Sequence, residues 1–174
     1  MFKLVLVLLF ALFANASELK LLDGQIQAHT EVFGDSTINP ETKDIIATIK
    51  KEDSIESISG MFSINSSTLV SDNKDRDTHM YELLKSSITP TISFTITSIV
   101  KVEDKYKITG DLTINNVTKK ISSLSTIGET DGLAMNGDFS FLLTDFGLEP
   151  PTMFFLTVRD QIDIKYTFHF VKGI

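Results

Sequence analysis

Alternation with a period of two dominates this chain. In the C-terminal run, Ile162, Ile164, Tyr166, Phe168 and Phe170 hold one parity, and Asp163, Lys165, Thr167 and His169 the other. Successive side chains on a strand point to opposite faces, so this run predicts a strand with one apolar and one wet face. Ile92, Phe94 and Ile96 alternate in the same way with Ser93, Thr95 and Thr97. Tyr106, Ile108, Leu112 and Ile114 share a parity interrupted by Gly110, and Phe139, Phe141 and Leu143 share another. Further strands are expected near 19–33, 44–50, 55–65 and 120–128, about eight in all. Turn signals separate them at Gly34-Asp35, Glu103-Asp104, Asn115-Asn116, Asp131-Gly132 and Pro150-Pro151. Asn115-Asn116 suits a two-residue hairpin, because a type I′ turn needs positive φ at both central positions and Asn tolerates it.

One helix interrupts the pattern. Asp72 or Asn73 can cap its start, and the early Asp75 and Asp77 suit the positive end of the helix dipole. Met80, Leu83 and Leu84 fall at i, i+3 and i+4 and give it one apolar face. Thr89 precedes Pro90, which turns the chain away from helix.

Strands with one apolar face each must close on themselves or pair face to face. Closing about eight gives a barrel, whose interior is either filled by side chains or holds a small ligand. Alternation alone leaves both readings open. The candidate lining is Phe62, Ile64, Phe94, Ile96, Ile108, Leu112, Phe139, Phe141, Ile164 and Phe168, with Met80 and Leu84 from the helix.

Residues 1–16 read as a leader outside the fold: Lys3 is the positive start, Leu4 to Phe13 the apolar run, and Ala14-Asn15-Ala16 the cleavage site. That run is too short for a bilayer span, which needs roughly 20 apolar residues. A cleaved secretory signal, one domain over 17–174 and no stable membrane anchor are therefore expected. The chain has no cysteine, so disulfides, thiol catalysis and cysteine metal sites are excluded. A net charge of −7 argues against nucleic acid and against docking on anionic lipid.

Little in the chain suggests catalysis. G-x-S-x-G and H-E-x-x-H are absent, and the three histidines lie on separate elements. Asp75, Asp77 and His79 do not converge on a metal, because i and i+2 point apart on a helix. The acidic run from Asp72 to Asp77 lacks the glycine and final glutamate of a calcium loop. Arg76 is read either as a charged anchor from helix to barrel rim or as a hydrogen-bond donor to a polar ligand head. Arg159, beside Asp160 at the start of the last strand, reads as a rim ion pair. His29 and His169 read as ordinary strand histidines. Met153-Phe154-Phe155, after Pro150-Pro151, form an apolar loop cluster that covers the core, guards an entrance or touches a membrane.

Four pieces stand in register over this stretch: Arg76-Asp77-Thr78-His79-Met80, the strand Pro90 to Phe94, the hairpin Gly110 to Lys119, and Asp145-Phe146-Gly147. Their order and spacing resemble the YceI family of lipocalin-like, polyisoprenoid-binding proteins, with Asn116 where that family usually has Gly. The resemblance implies an all-β fold, a lipocalin-like antiparallel β-barrel of about eight strands with one short α-helix. It implies non-catalytic binding of a long-chain amphiphile, such as a polyisoprenoid, isoprenoid quinone or fatty-acid derivative, in an exported, periplasmic protein. The tail would lie along the lumen, and the head would sit near Arg76, His79, Lys119 and Lys120. No cofactor is expected beyond such a bound isoprenoid-type lipid. The alternative is an exported protein-interaction or stress-response module with a filled core and no ligand.

Overall fold

The computed structural model describes residues 16–32, 35–153 and 156–173. The leader up to Asn15, Gly34 of the first turn signal, and Phe154 and Phe155 of the loop cluster lie outside the described residues.

Eight long strands carry the fold: β1 (Ser17–Val32), β2 (Ile46–Lys51), β3 (Ser59–Asn65), β4 (Thr91–Val102), β5 (Lys105–Ile114), β6 (Val117–Gly128), β7 (Leu133–Leu142) and β8 (Gln161–Lys172). Each pairs antiparallel with the next, and β8 returns to pair with β1, which closes an up-and-down barrel. The expected all-β barrel with one helix is the fold observed. One boundary differs: residues 55–57, expected to begin a strand, form a 3-10 turn (Ile55–Ser57), and β3 starts at Ser59. Ser54 and Ser57 hold that turn through the Ser57 hydroxyl, 2.6 Å from the Ser54 carbonyl, a local alternative to the ladder.

The closing seam is among the longest. Leu19 to His29 of β1 lie opposite Lys172 to Asp163 of β8, with a register shift between Leu21 and Asp23. That bulge reverses the parity of β1. Leu19 faces inward, Leu22 is thrown out to 68% exposure, and Gly24 lies opposite the inward Phe168. The β1–β2 seam holds only at one end, where Ser17–Leu19 meet Lys51–Ile49. Farther along β1, the short strand Glu41–Thr42 takes over and pairs with Ile26 and Gln27.

The β5–β6 hairpin turns through Asn115 and Asn116, at φ 50 and 61, the positive values a type I′ turn requires. Helix α1 (Lys74–Leu83) is capped by Asn73, whose side chain accepts from the backbone N–H of Asp75 and Arg76. Buried Asp77 accepts from the Ser71 N–H at 2.9 Å, and Tyr81 donates to the Leu69 carbonyl at 2.6 Å. These bonds orient α1 so that Met80, Leu83 and Leu84 pack into the upper core beside Ile64, Leu112 and Phe146. The 3-10 turn Leu143–Phe146 ends on Gly147 at φ +66, and Phe146 is fully buried.

Gly60 adopts φ +128, a region closed to side chains, and a Cβ there would overlap the Thr48 carbonyl oxygen across the β2–β3 ladder. Gly60→Ala should therefore lower stability by about 2–3 kcal/mol. A urea melt should show the midpoint falling with an unchanged slope. An unshifted midpoint would mean that the ladder relaxes freely at this point.

Candidate functional site

The two interior readings divide between the two ends of the barrel. At the end away from α1, side chains fill the interior: Ile49, Ile58, Ile99, Ile127, Leu133 and Phe170 are buried in one cluster. Toward α1 the strands enclose an apolar cavity of about 360 Å³, within the size range of small-molecule pockets. Its lining runs along β8 from Ile162 through Ile164 and Tyr166 to Phe168. Six residues at ~3.3 Å rise on strands tilted ~40° correspond to roughly 15 Å of depth.

The structure places Phe62, Ile64, Phe94, Ile96, Ile108, Leu112, Phe139, Phe141, Ile164 and Phe168 on this wall, with Met80 and Leu84 across its α1 end. Aromatic rings make a continuous path along it. Phe146 meets Phe141 edge-on at 5.2 Å between ring centres, Phe141 and Phe139 lie 6.5 Å apart, and Phe139 and Tyr166 6.4 Å. Tyr166 then stacks on Phe168 at 5.2 Å, and Phe168 on Phe62 at 4.5 Å. Such offset contacts each add about 0.5–1.5 kcal/mol beyond the area they bury. They also hold the rings in place against the cavity.

The cavity opens at the α1 end, where His79 both borders it and is exposed to solvent. Arg76, half-buried one helical turn before His79, borders it as well. Among the described residues of the lining, Arg76 is the one formally charged side chain. Lys119 and Lys120 are exposed and do not reach this lining, and the Lys120 ammonium lies 2.8 Å from Asp111 on the outer face of the barrel.

Sequence reasoning passed over several residues of the site. His29 read as an ordinary strand histidine, yet it borders the mouth with its ring nitrogens 2.7 Å from Asn39 Oδ1 and 3.3 Å from Glu31 Oε1. Ser123 and Tyr166 line the inner end and bond to each other at 2.9 Å. A signal for Ser123 was available in its partner strand: it lies opposite Ile108, whose inward parity was legible.

The rim beside the mouth is tied by charge. Arg159 bridges Glu31 of β1, at 3.5 Å, and Asp163 of β8. This is a rim ion pair as expected, although its partners are Glu31 and Asp163, while Asp160 accepts from the Thr144 hydroxyl at 2.6 Å. The Asp163 carboxyl is held down to about 2, first by the Ser140 hydroxyl, then by the Gln161 amide and Arg159, against its partial burial. A carboxyl with a depressed folded value stabilises the fold above its ordinary value near 3.8 and loses that contribution as pH falls toward about 2. Asp163→Asn should be less stable than the parent at pH 7, and the two stability curves should converge between pH 4 and 2. Parallel curves over that interval would show that Asp163 contributes nothing through its charge.

The profile of the YceI-like domain matches residues 20–170. Protein YceI of Escherichia coli O157:H7 is 37% identical over 71 residues, a stretch spanning 39% of this chain and 37% of that relative. The crystal structure of Burkholderia cenocepacia BcnA superposes with a TM-score of 0.74 at 16% identity, covering 83% of this chain and 94% of that one. A polyisoprenoid binding domain from Saccharophagus degradans, implicated in plant cell wall breakdown, gives 0.66 at 7% identity over 91% of this chain and 100% of that one.

Proposed function

The chain belongs to the YceI-like domain family, and on that premise we propose that it binds and carries a long-chain amphiphilic lipid without catalysis. The observation that carries this reading is the apolar cavity of about 360 Å³ with, among the described residues, a single cationic side chain, Arg76, at its open end. An apolar tail in that space gains about 0.8 kcal/mol per buried methylene. Ten methylenes give roughly 8 kcal/mol, enough to offset much of the ~4–15 kcal/mol lost in immobilising the guest. A polar head would remain at the mouth, within reach of Arg76 and His79, where water still has access. Arg76 favours a neutral or anionic head over a cationic one.

A polyisoprenoid, an isoprenoid quinone or a fatty-acid derivative satisfies these requirements. The similarity to a polyisoprenoid binding domain supports the first of them. Residues 1–16, as a cleaved leader, would take the carrier out of the cytoplasm. The competing reading, an interaction module without a ligand, finds support in the buried side-chain cluster that fills the end of the barrel away from α1.

Native followed by denaturing mass spectrometry of gently purified protein separates the two readings. A lipid released on denaturation supports the carrier and identifies its class. A clean apo mass with no uptake of added isoprenoid or fatty acid would favour the interaction module. Phe94→Asp and Phe141→Asp, once shown to be folded, should each weaken lipid uptake by at least about 100-fold, because a carboxylate in an apolar wall costs several kcal/mol. Undiminished uptake by either folded variant would exclude the lumen as the binding site.

A further inference from the structure

Three hydroxyl groups stand together at the inner end of the cavity. Tyr166 Oη of β8 lies 2.9 Å from Ser123 Oγ and 2.6 Å from Ser125 Oγ, both on β6. Ser123 Oγ also lies 2.8 Å from the Asp138 carbonyl of β7, to which it donates. Ser123 is 4% exposed and Ser125 fully buried, while Ile108 and Met135 beside them are as deeply buried. Hydroxyls in such surroundings carry a desolvation cost of about 1–3 kcal/mol each unless they are paired. Alanine, valine and phenylalanine would fill the same space without it.

A fourth residue is cut to fit the cluster. Gly137 of β7 lies opposite Tyr166, and a Cβ there would overlap the Tyr166 hydroxyl and press on Ser125 Oγ. The barrel therefore gives up an inward side chain to make room for this hydroxyl.

The proton count shows what the cluster can still do. Each hydroxyl has one hydrogen and two acceptor positions. Ser123 gives its hydrogen to the Asp138 carbonyl, Ser125 can give its own to Tyr166, and Tyr166 can give its own to Ser123. One acceptor position on Tyr166, one on Ser123 and two on Ser125 then remain unused. Tyr166 can also turn its hydrogen into the cavity at the expense of one bond, the one to Ser123. It stays a neutral donor under ordinary conditions, since burial raises its pKa above 10.0.

We propose that the Ser123–Ser125–Tyr166 cluster is a second polar subsite, which binds a neutral ketone- or alcohol-type oxygen at the buried end of the guest. This inference rests on the carrier reading and narrows it: the inner terminus of the lipid is oxygenated, not plain hydrocarbon. A carboxylate is disfavoured there, because no cation borders that end of the cavity among the described residues. An alcohol donates into an unused acceptor position without breaking a bond of the cluster, and one such neutral hydrogen bond is worth about 0.5–1.5 kcal/mol net, a factor of roughly 2–12 in affinity, whereas a ketone gains less because its bond from Tyr166 replaces the one to Ser123.

The test is displacement of a bound hydrophobic dye by n-dodecane, 2-dodecanone and 1-dodecanol, in the parent protein and in Tyr166→Phe. The alcohol-to-alkane affinity ratio should fall roughly five-fold in the variant, and the ketone-to-alkane ratio by less. The ketone carbonyl stretch should shift to lower wavenumber on binding the parent and return in Tyr166→Phe, a signature that a purely structural tie between strands would not produce. If Tyr166→Phe fails to fold, Ser123→Ala, which frees the Tyr166 hydrogen from its bond to Ser123, should raise the ketone-to-alkane ratio, and an unchanged ratio would count against the subsite. Equal ratios in parent and variant, with no carbonyl shift, would overturn the subsite while leaving the carrier reading intact. Failure of all three probes to displace dye from the parent would overturn the carrier reading and this inference with it.

Discussion

The pairing of the first long strand with the last is the constraint on which the rest depends. Leu19 to His29 run against Lys172 to Asp163, joining segments from opposite ends of the domain. A twisted sheet left open would expose two edges and a large apolar face. Closing it buries that face and gives every inward residue a fixed height in the barrel. Contacts between such distant segments form late, because the loop-closure entropy must be overcome first. The Glu31–Arg159–Asp163 bridge ties the same two strands at the open end, where apolar packing is thinnest. Closure there is electrostatic, whereas at the other end it is hydrophobic, through Leu19 and Phe170.

Within the closed wall, glycine decides where space remains. An eight-stranded barrel is just wide enough for side chains to fill it. In this barrel three aromatic rings lie over glycines: Phe168 over Gly24, Tyr166 over Gly137 and Phe94 over Gly110. Each glycine leaves room for a large ring against the wall, where a Cβ would overlap it. The interior at the other end, where Ile49, Ile58, Ile99, Ile127, Leu133 and Phe170 face inward, is packed. The cavity and the filled core are thus consequences of the same alternating pattern with different residue sizes.

That distinction explains which parts were legible in the sequence. Strand number, the helix cap at Asn73, the Asn115-Asn116 turn and the inward parity of Phe94, Leu112, Phe139 and Ile164 all follow from local patterns. Two bulges were not legible, because they depend on the partner strand. One expels Leu22 and re-phases β1, and the other lies between Ile96 and Ser98, so that Ile96 and Ile99 are both buried. On β6 the local pattern misleads outright. Leu124 is 48% exposed while Ser123 and Ser125 face inward, the reverse of what hydrophobicity suggests. The register with β5, which sets Ser123 against Ile108 and Ser125 against Tyr106, overrides that preference. Gly110 looked like an interruption of a strand and is instead the floor beneath Phe94.

Affinity and selectivity in a cavity of this shape come from different residues. The wall is apolar along its whole depth, so it rewards length: each added methylene contributes about 0.8 kcal/mol until the space is full, whatever the chain's chemistry. The wall cannot tell one long chain from another, since a single methylene more or less changes affinity only modestly. In the proposed carrier, discrimination would be left to the ends, where Arg76 and His79 stand at the mouth and a hydroxyl group stands at the floor. A polar group that lands against Ile164 or Phe139 midway would be stripped of water with nothing to replace it, and that penalty exceeds the gain at either end. If the proposed carrier holds its guest between these two ends, their separation would favour guests whose oxygen atoms are spaced to match it over those of equal hydrophobicity whose polar atoms fall between.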